Sequence, residues 1–175
     1  MTENVKTTEK IRFIKDDLTA MDVEAFVFYA RPDLTLGSGY GNAISTRGGP
    51  DIKKELEQIG SIKPTEAVAT SAGELKAKKI IHAARPVFRE EELEKKLAKT
   101  IDNALICAEE NSIKQIAFPL MGIGFYGITP DASIKIMIGR IKSHLANNSA
   151  IEEVIICAND NREFRFLEKN QKEKV

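Results

Sequence analysis

Residues 24–44 have the sequence EAFVFYARPDLTLGSGYGNAI, which brings three kinds of segment together. Residues 24–29 form a short apolar run with aromatic and β-branched side chains, which predicts a strand buried on both faces. Residues 37–41 contain too much glycine for regular structure. Residues 42–60 have helical spacing, interrupted before Pro50, which fits the first turn of a second helix. The stretch therefore predicts a strand, a glycine-rich loop and a helix in succession.

The same order recurs around residue 120. Residues 115–118 predict a strand that ends at Pro119, and the glycine-rich sequence GIGFYG follows at 122–127. Residues 131–145 predict a helix with Thr129 as its N-cap and Pro130 as its first residue. Both glycine-rich loops thus follow the carboxyl end of a strand and precede a helix.

Strands and helices alternate along most of the chain. Further strands are predicted at 11–15, 66–70, 79–83 and 153–157, and further helices at 90–111 and 160–168. This alternation is typical of an α/β fold with a largely parallel sheet and helices on both faces. Because ligands bind beyond the carboxyl ends of such strands, we expect both loops at one edge of the sheet.

Composition limits the classes of function. The 175 residues include 26 basic and 26 acidic side chains, so the formal net charge is zero, which argues against a dedicated duplex-DNA binder. Two cysteines in apolar runs, Cys107 and Cys157, predict buried thiols, and neither a metal site nor a cofactor is expected. No apolar run is long enough to span a membrane and no signal peptide is apparent, so we expect a cytoplasmic protein with no membrane partner. One domain is predicted at 11–168, with polar tails at 1–10 and 169–175.

The glycine-rich loops predict anion sites, although each has a simpler interpretation. Glycine lets the backbone approach a ligand, and the free N–H groups of a first helical turn attract phosphate. The loop at 37–42 departs from both the dinucleotide-binding and the P-loop fingerprints, and taken alone it is better explained by a tight turn. The loop at 122–127 is either a second anion loop or a turn with Phe125 and Tyr126 in the core. Two such loops at one edge favour a ligand with two linked phosphates.

Two polar residues carry alternative interpretations. Asp17 follows the first strand, where its carboxylate accepts a hydrogen bond from an exocyclic amine, caps a helix or is a plain surface charge. His82 lies in an apolar strand, which favours a core histidine over a catalytic base. No Ser-His-Asp or Cys-His set and no carboxylate pair stands out, so no catalytic residue is assigned.

Six segments, in order and at matching spacing, resemble the macro domain, the ADP-ribose-binding module. Residues 16–19 (DDLT) resemble the family's Gly-Asp-Ile-Thr, and 37–44 resemble its first phosphate loop. Residues 47–50 (RGGP) are similar to Ala-Ala-Gly-Pro, 65–68 (TEAV) to Thr-Gly-Glu-Ala-Val, and 81–86 (IHAARP) to Ile-His-x-Val-Gly-Pro. Phe118-Pro119 followed by 122–127 resembles the second phosphate loop. The resemblance spans residues 11–167.

The resemblance implies a three-layer α/β/α sandwich with a mixed six-stranded sheet, and it assigns roles. Asp17 would bind the adenine amino group, residues 39–44 one phosphate and the distal ribose, and 122–126 the diphosphate from the other side. The ligand-binding residues expected are Asp17, Leu18, Arg31, Gly37, Ser38, Gly39, Tyr40, Gly41, Asn42, Ala43, Ile44, Gly122, Ile123, Gly124, Phe125, Tyr126 and Asn159.

Three residues depart from the family pattern. Arg31 replaces an asparagine that contacts the distal ribose, and it would either reach a phosphate or ribose or occlude that pocket. Gly41 stands where many hydrolases of the family carry a catalytic aspartate. Asn159 stands where an aromatic residue often stacks on adenine, a contact worth about 1–3 kcal/mol.

The resemblance favours a binding module for ADP-ribose or a related nucleotide, with an ADP-ribosylated protein as a further partner. The first alternative is a hydrolase acting on ADP-ribosyl protein, ADP-ribose 1''-phosphate or O-acetyl-ADP-ribose. A second alternative is an RNA or poly-A binder, against which the zero net charge argues, or an interaction domain without a ligand.

Overall fold

The computed structural model describes residues 10–86, 90–123 and 127–172. Six strands alternate with five α-helices, and a short 3₁₀ helix, Leu18–Ala20, follows the first strand. The strands are β1 (Ile11–Lys15), β2 (Ala25–Ala30), β3 (Ala67–Ser71), β4 (Lys79–Ala84), β5 (Gln115–Pro119) and β6 (Glu153–Ala158). The helices are α1 (Tyr40–Gly48), α2 (Pro50–Ile59), α3 (Leu93–Glu110), α4 (Pro130–Leu145) and α5 (Asn161–Lys172).

The strands form one mixed sheet in the order β1-β6-β5-β2-β4-β3. All neighbouring strands are parallel except β3 and β4, which pair antiparallel. Residues 72–78, which join β3 to β4, are too few for the crossover that a parallel pair needs. The predicted α/β class and the mixed six-stranded sheet are confirmed.

Apolar side chains from the two faces of the sheet build two cores. Alternate strand residues such as Val27 and Phe26 enter opposite cores because successive side chains of a strand point to opposite faces. Helices α3, α4 and α5 cover the first core, and α1 and α2 cover the second. The result is the three-layer sandwich that the resemblance implies. None of the helices in the described part of the chain is long and apolar enough to cross a membrane.

Some predicted boundaries were wrong. Helix α1 begins at Tyr40, so Tyr40 and Gly41 are helical although the sequence predicted irregular structure there. Helix α3 begins at Leu93 rather than at residue 90. Helix α5 continues to Lys172, beyond the predicted end at residue 168.

Packing accounts for the longer last helix. Asn170 is buried, and its amide nitrogen donates to Asp131 Oδ1 at 3.1 Å and to the Phe166 carbonyl at 2.8 Å. Residues 169–172, which the sequence placed in a polar tail, are therefore helical.

Candidate functional site

The connection between β2 and α1 runs along the carboxyl edge of the sheet, where the sequence placed it. Gly37 and Gly39 have φ values of 70° and 62°, and a Cβ built on either would meet nothing within 4 Å. Gly39 is the N-cap of α1 at ψ −128°, a combination that residues other than glycine rarely adopt. The loop therefore presents bare backbone to open space.

The amino end of α1 has unsatisfied donors. Gly39 supplies no side-chain cap, and the first turn contains no acidic residue. The Gly41 N–H donates to the Ser38 carbonyl at 3.2 Å, but the N–H groups of Tyr40 and Asn42 have no acceptor among the described residues. Helix α4, in contrast, is capped by the Thr129 hydroxyl. The end of α1 is thus free to bind an anion, because helix N-termini carry a partial positive charge.

Asp17 is the N-cap of the 3₁₀ helix and the partner of an arginine. Its Oδ1 accepts hydrogen bonds from the Thr19 N–H at 3.0 Å and the Thr19 hydroxyl at 2.7 Å. Its Oδ2 accepts one from Arg47 Nη2 at 3.0 Å, and Arg47 also donates to the Thr19 hydroxyl. Burial alone would raise the pKa of Asp17, but these hydrogen bonds hold it below the ordinary value. The carboxylate is therefore ionised and fixed in direction, with one lone pair of Oδ2 left for a ligand.

A cleft of about 510 Å³ lies between the end of β1, helix α1 and the end of β6. Asp17 and Asn159 follow strands that are neighbours in the sheet, whereas the other lining residues extend along α1 from its N-cap, Gly39, to its last turn. The lining residues are Asp17, Gly39, Tyr40, Ala43, Arg47 and Asn159. The fold thus brings together five of the residues that the sequence proposed for the ligand.

Arg47 is the lining residue that sequence reasoning missed. It follows Tyr40 and Ala43 at the i, i+3, i+7 spacing of one helix face, and this spacing was the available signal. Its Nη2 is engaged by Asp17 and Thr19, while Nε and Nη1 have no acceptor among the described residues. The cleft therefore contains a cation that can meet an anionic or polar ligand.

Several proposed residues lie elsewhere or are buried. Leu18 and Ile44 are fully buried, so neither presents a surface to a ligand. Gly37 and Asn42 line a separate depression of about 480 Å³ between the loop, α1 and α2. Arg31 is bound to Asp33 by Nε at 3.2 Å and Nη2 at 2.7 Å. The Arg31 side chain is therefore held by its own loop and does not line the 510 Å³ cleft.

Gly41 has no room for a side chain. A Cβ there would lie 1.6 Å from the carbonyl oxygen and 2.4 Å from the carbonyl carbon of Leu36. The backbone of the loop occupies the space in which an aspartate would begin. The loop conformation of this chain therefore requires glycine at residue 41, the position that the resemblance compares with a catalytic aspartate.

The second loop is described only at its two ends. Gly122 is buried at φ 78°, and its carbonyl accepts a hydrogen bond from the Ile128 N–H at 3.2 Å. Ile123 forms a β-bridge with Ile128, which closes the base of the loop. Gly124, Phe125 and Tyr126 lie outside the described residues, so the predicted contacts of this loop with a diphosphate stay predictions.

His82 is a core residue. Its side chain is fully buried, Nε2 lies 2.9 Å from the Thr70 hydroxyl, and Nδ1 has no partner among the described residues. Burial lowers the pKa of His82 to about 4, so the ring is neutral at physiological pH. Cys107 and Cys157 are buried thiols, as predicted. Within the described ranges, no three His, Cys, Asp or Glu side chains cluster as metal ligands would.

Comparison with known proteins identifies the family of this chain. The family profile described as Macro domain matches residues 30–137, more than half of the chain. The chain belongs to the macro domain family. A macro domain-containing protein of Caldanaerobacter subterraneus is 34% identical over 174 residues, which cover 94% of this chain and 97% of that protein.

Some relatives of this macro domain are longer proteins. The Xenopus laevis protein named ADP-ribose glycohydrolase is 32% identical over 85% of this chain, which spans 37% of that protein. A Thermotoga maritima relative is 35% identical, and the chain spans 28% of its length. The crystal structure of a Trypanosoma brucei macrodomain in complex with ADP-ribose has a TM-score of 0.85 and 22% identity, over 93% of this chain and 69% of that one. This last likeness establishes the fold.

Proposed function

We propose that this macro domain binds ADP-ribose, or a related nucleotide that contains it, in the 510 Å³ cleft. The observation that carries the proposal is the uncapped amino end of α1 beside Asp17 and Arg47 at the carboxyl edge of the sheet. Two relatives support it, because one is named for action on ADP-ribose and another was crystallised with it.

The diphosphate lies at the amino end of α1 in this proposal. The N–H groups of Tyr40 and Asn42 are free to donate, and Gly39 leaves space for a phosphate to approach the backbone. Hydrogen bonds to charged groups contribute about 1.5–3 kcal/mol each, so two of them account for a substantial part of micromolar binding. The resemblance assigns residues 122–126 of the second loop to the other side of the diphosphate.

The base lies between Asp17 and Asn159. Oδ2 of Asp17 has a lone pair available for the exocyclic amine of adenine, and the ionised carboxylate disfavours a base that presents a carbonyl oxygen there. Arg47 reduces the repulsion between Asp17 and an anionic ligand. The target of such a module in the cell is an ADP-ribosylated protein or a free ADP-ribose derivative.

Calorimetric titration with ADP-ribose tests the proposal, with AMP and ribose 5-phosphate as partial ligands. We expect micromolar binding of ADP-ribose and weaker binding of both fragments. Gly39→Glu should abolish binding because its carboxylate would enter the phosphate site.

Gly39→Ala is the matched control for the Glu variant, because it imposes the same strain at positive φ without adding a charge. We expect it to lose stability but to retain measurable ADP-ribose binding. Absence of heat with ADP-ribose, in protein shown to be folded, would refute the proposal. Equal loss of binding in the two variants would refute the placement of the phosphate.

Hydrolysis of an ADP-ribose derivative is the second candidate, and the name of the Xenopus laevis relative favours it. The contact between Gly41 and the Leu36 carbonyl argues against it, since no carboxylate fits at that position. Incubation with ADP-ribosylated protein should release no ADP-ribose above a mock preparation. Turnover that disappears in Gly39→Glu would establish the enzyme instead.

A further inference from the structure

The wall of the cleft offers one aromatic surface. Among the described lining residues only Tyr40 has a ring, and the others are Asp17, Gly39, Ala43, Arg47 and Asn159. Asn159 is exposed at the end of β6 and has no ring to stack on a base. A bound base therefore finds its apolar contact on the α1 side of the cleft.

Tyr40 is held firmly enough to serve as a stacking surface. It is the first residue of α1, and its ring packs against the core cluster that contains Phe28 and Ile44. Burial, together with neighbouring negative charges that include Asp17 and Glu163, raises the pKa of Tyr40 above its ordinary value, so the phenol is neutral. Tyr40 thus packs against the core and also lines the cleft.

We propose that Tyr40, at the start of α1, is the base-stacking residue of this macro domain. This inference rests on the proposed nucleotide function. A base lying against Tyr40 directs its edge toward Asp17 and Arg47, whose facing atoms are 3.0 Å apart. The ring provides the apolar contact, and the charged pair provides the polar contact with the edge of the base.

Arg47 is the competing surface, because guanidinium planes also stack on bases. Asp17 and Thr19 hold the guanidinium group through Nη2, at one edge of its plane. Nε and Nη1 are left for polar contacts. The two residues are therefore separable by mutation, since only a planar carbon ring at position 40 should substitute for Tyr40.

Titrations with ADP and with inorganic pyrophosphate test the inference. Tyr40→Leu keeps the bulk of the side chain but removes the ring, and it should weaken ADP binding by about 5- to 150-fold, the range for loss of one base-stacking contact. Pyrophosphate has no base, so its affinity should change by less than twofold. Tyr40→Phe should bind ADP within about threefold of the parent. Asn159→Tyr, introduced into Tyr40→Leu, should restore part of the affinity by supplying a ring at the end of β6.

Tyrosine fluorescence gives an independent measurement, because the sequence contains three tyrosines and no tryptophan. Stacked adenine should quench the parent, and the quenching should be smaller in Tyr40→Phe at equal saturation. The inference is overturned if Tyr40→Leu binds ADP within twofold of the parent, or if Arg47→Ala alone loses the base-dependent affinity. If the folded parent binds neither ADP nor ADP-ribose, it is the nucleotide function itself that fails.

Discussion

The lack of space between Gly41 and Leu36 predicts that any side chain at residue 41 destabilises the fold. Replacing Gly41 by alanine places a methyl group 1.6 Å from the Leu36 carbonyl oxygen. Van der Waals separation requires about 3.5 Å, so the atoms must move apart by on the order of 2 Å. The obstacle is backbone rather than the end of a flexible side chain, and therefore the whole loop must shift.

The expected cost lies in the upper part of the range for overpacked sites. Such substitutions cost about 1–3 kcal/mol, and we expect about 3 kcal/mol because no side chain can rotate away. For a domain of this size each kcal/mol corresponds to about 2–4 °C, so Tm should fall by about 6–12 °C.

Gly139→Ala is the matched control. Gly139 is exposed within α4, and an added Cβ would meet nothing within 4 Å. Alanine in a helix interior is favoured over glycine by about 0.5–1 kcal/mol, so this variant should melt slightly above the parent. Replacing glycine by alanine should therefore lower Tm at residue 41 and raise it at residue 139. Circular dichroism during heating measures both values.

A Tm of Gly41→Ala within about 2 °C of the parent would refute the reasoning, because the loop would then be free to move away from residue 41. In that case an acid at this position would also be accommodated. If the reasoning holds, Gly41→Asp should lose stability by at least as much as Gly41→Ala and should gain no hydrolase activity.

Three further predictions follow from side-chain interactions. Folding lowers the pKa of His82 from 6.5 to about 4, so the unfolded chain binds a proton in this range more readily than the folded one, and stability falls as the pH drops from 6.5 toward 4. The free energy of unfolding, measured with urea, should decrease by about 2 kcal/mol between pH 7 and pH 5. This decrease should be absent in His82→Gln. Arg47→Ala should weaken ADP-ribose binding by about fivefold or less and hardly change Tm, since exposed ion pairs contribute about 0–1 kcal/mol. Arg12→Ala is the control: it removes an exposed ion pair at the far end of β1 and should leave the affinity for ADP-ribose unchanged. Asp17→Ala should lower the free energy of unfolding by about 0.5–2 kcal/mol through loss of the cap, and it should also lose the preference for adenine. Asp17→Asn should lose mainly the preference for adenine. Equal ADP-ribose affinity in both variants and the parent would contradict the role of the carboxylate.

Local patterns predicted most of the fold. Periodicity located every strand to within about one residue, because buried strands need consecutive apolar side chains. The end of α5 was missed because Asn170 looks like a surface residue in the sequence, and only its hydrogen bond to Asp131 on α4 explains its burial. Such a contact between distant segments leaves no local pattern.

The candidate site was predicted to a lesser degree. The glycines of the first loop were apparent because positive φ and an uncapped helix end both require residues without side chains. Arg47 was not, because its partner Asp17 lies 30 residues earlier, after a strand that the sequence does not place beside α1. The conflict at Gly41 was also hidden, since it depends on the path of the loop rather than on residue type.

The pairing of β1 with β6 determines when the cleft forms during folding. The Cys157 thiol contacts the Asp16 carbonyl at 3.2 Å although the two residues are 141 positions apart, and β1 and β6 pair along their whole length. Such distant contacts close large loops and form late. Asp17 and Asn159 meet only after this closure, so a ligand bound between them favours chains in which both strands have already docked. On the ribosome, the cleft cannot form until β6 has been synthesised, however early the first loop and α1 fold.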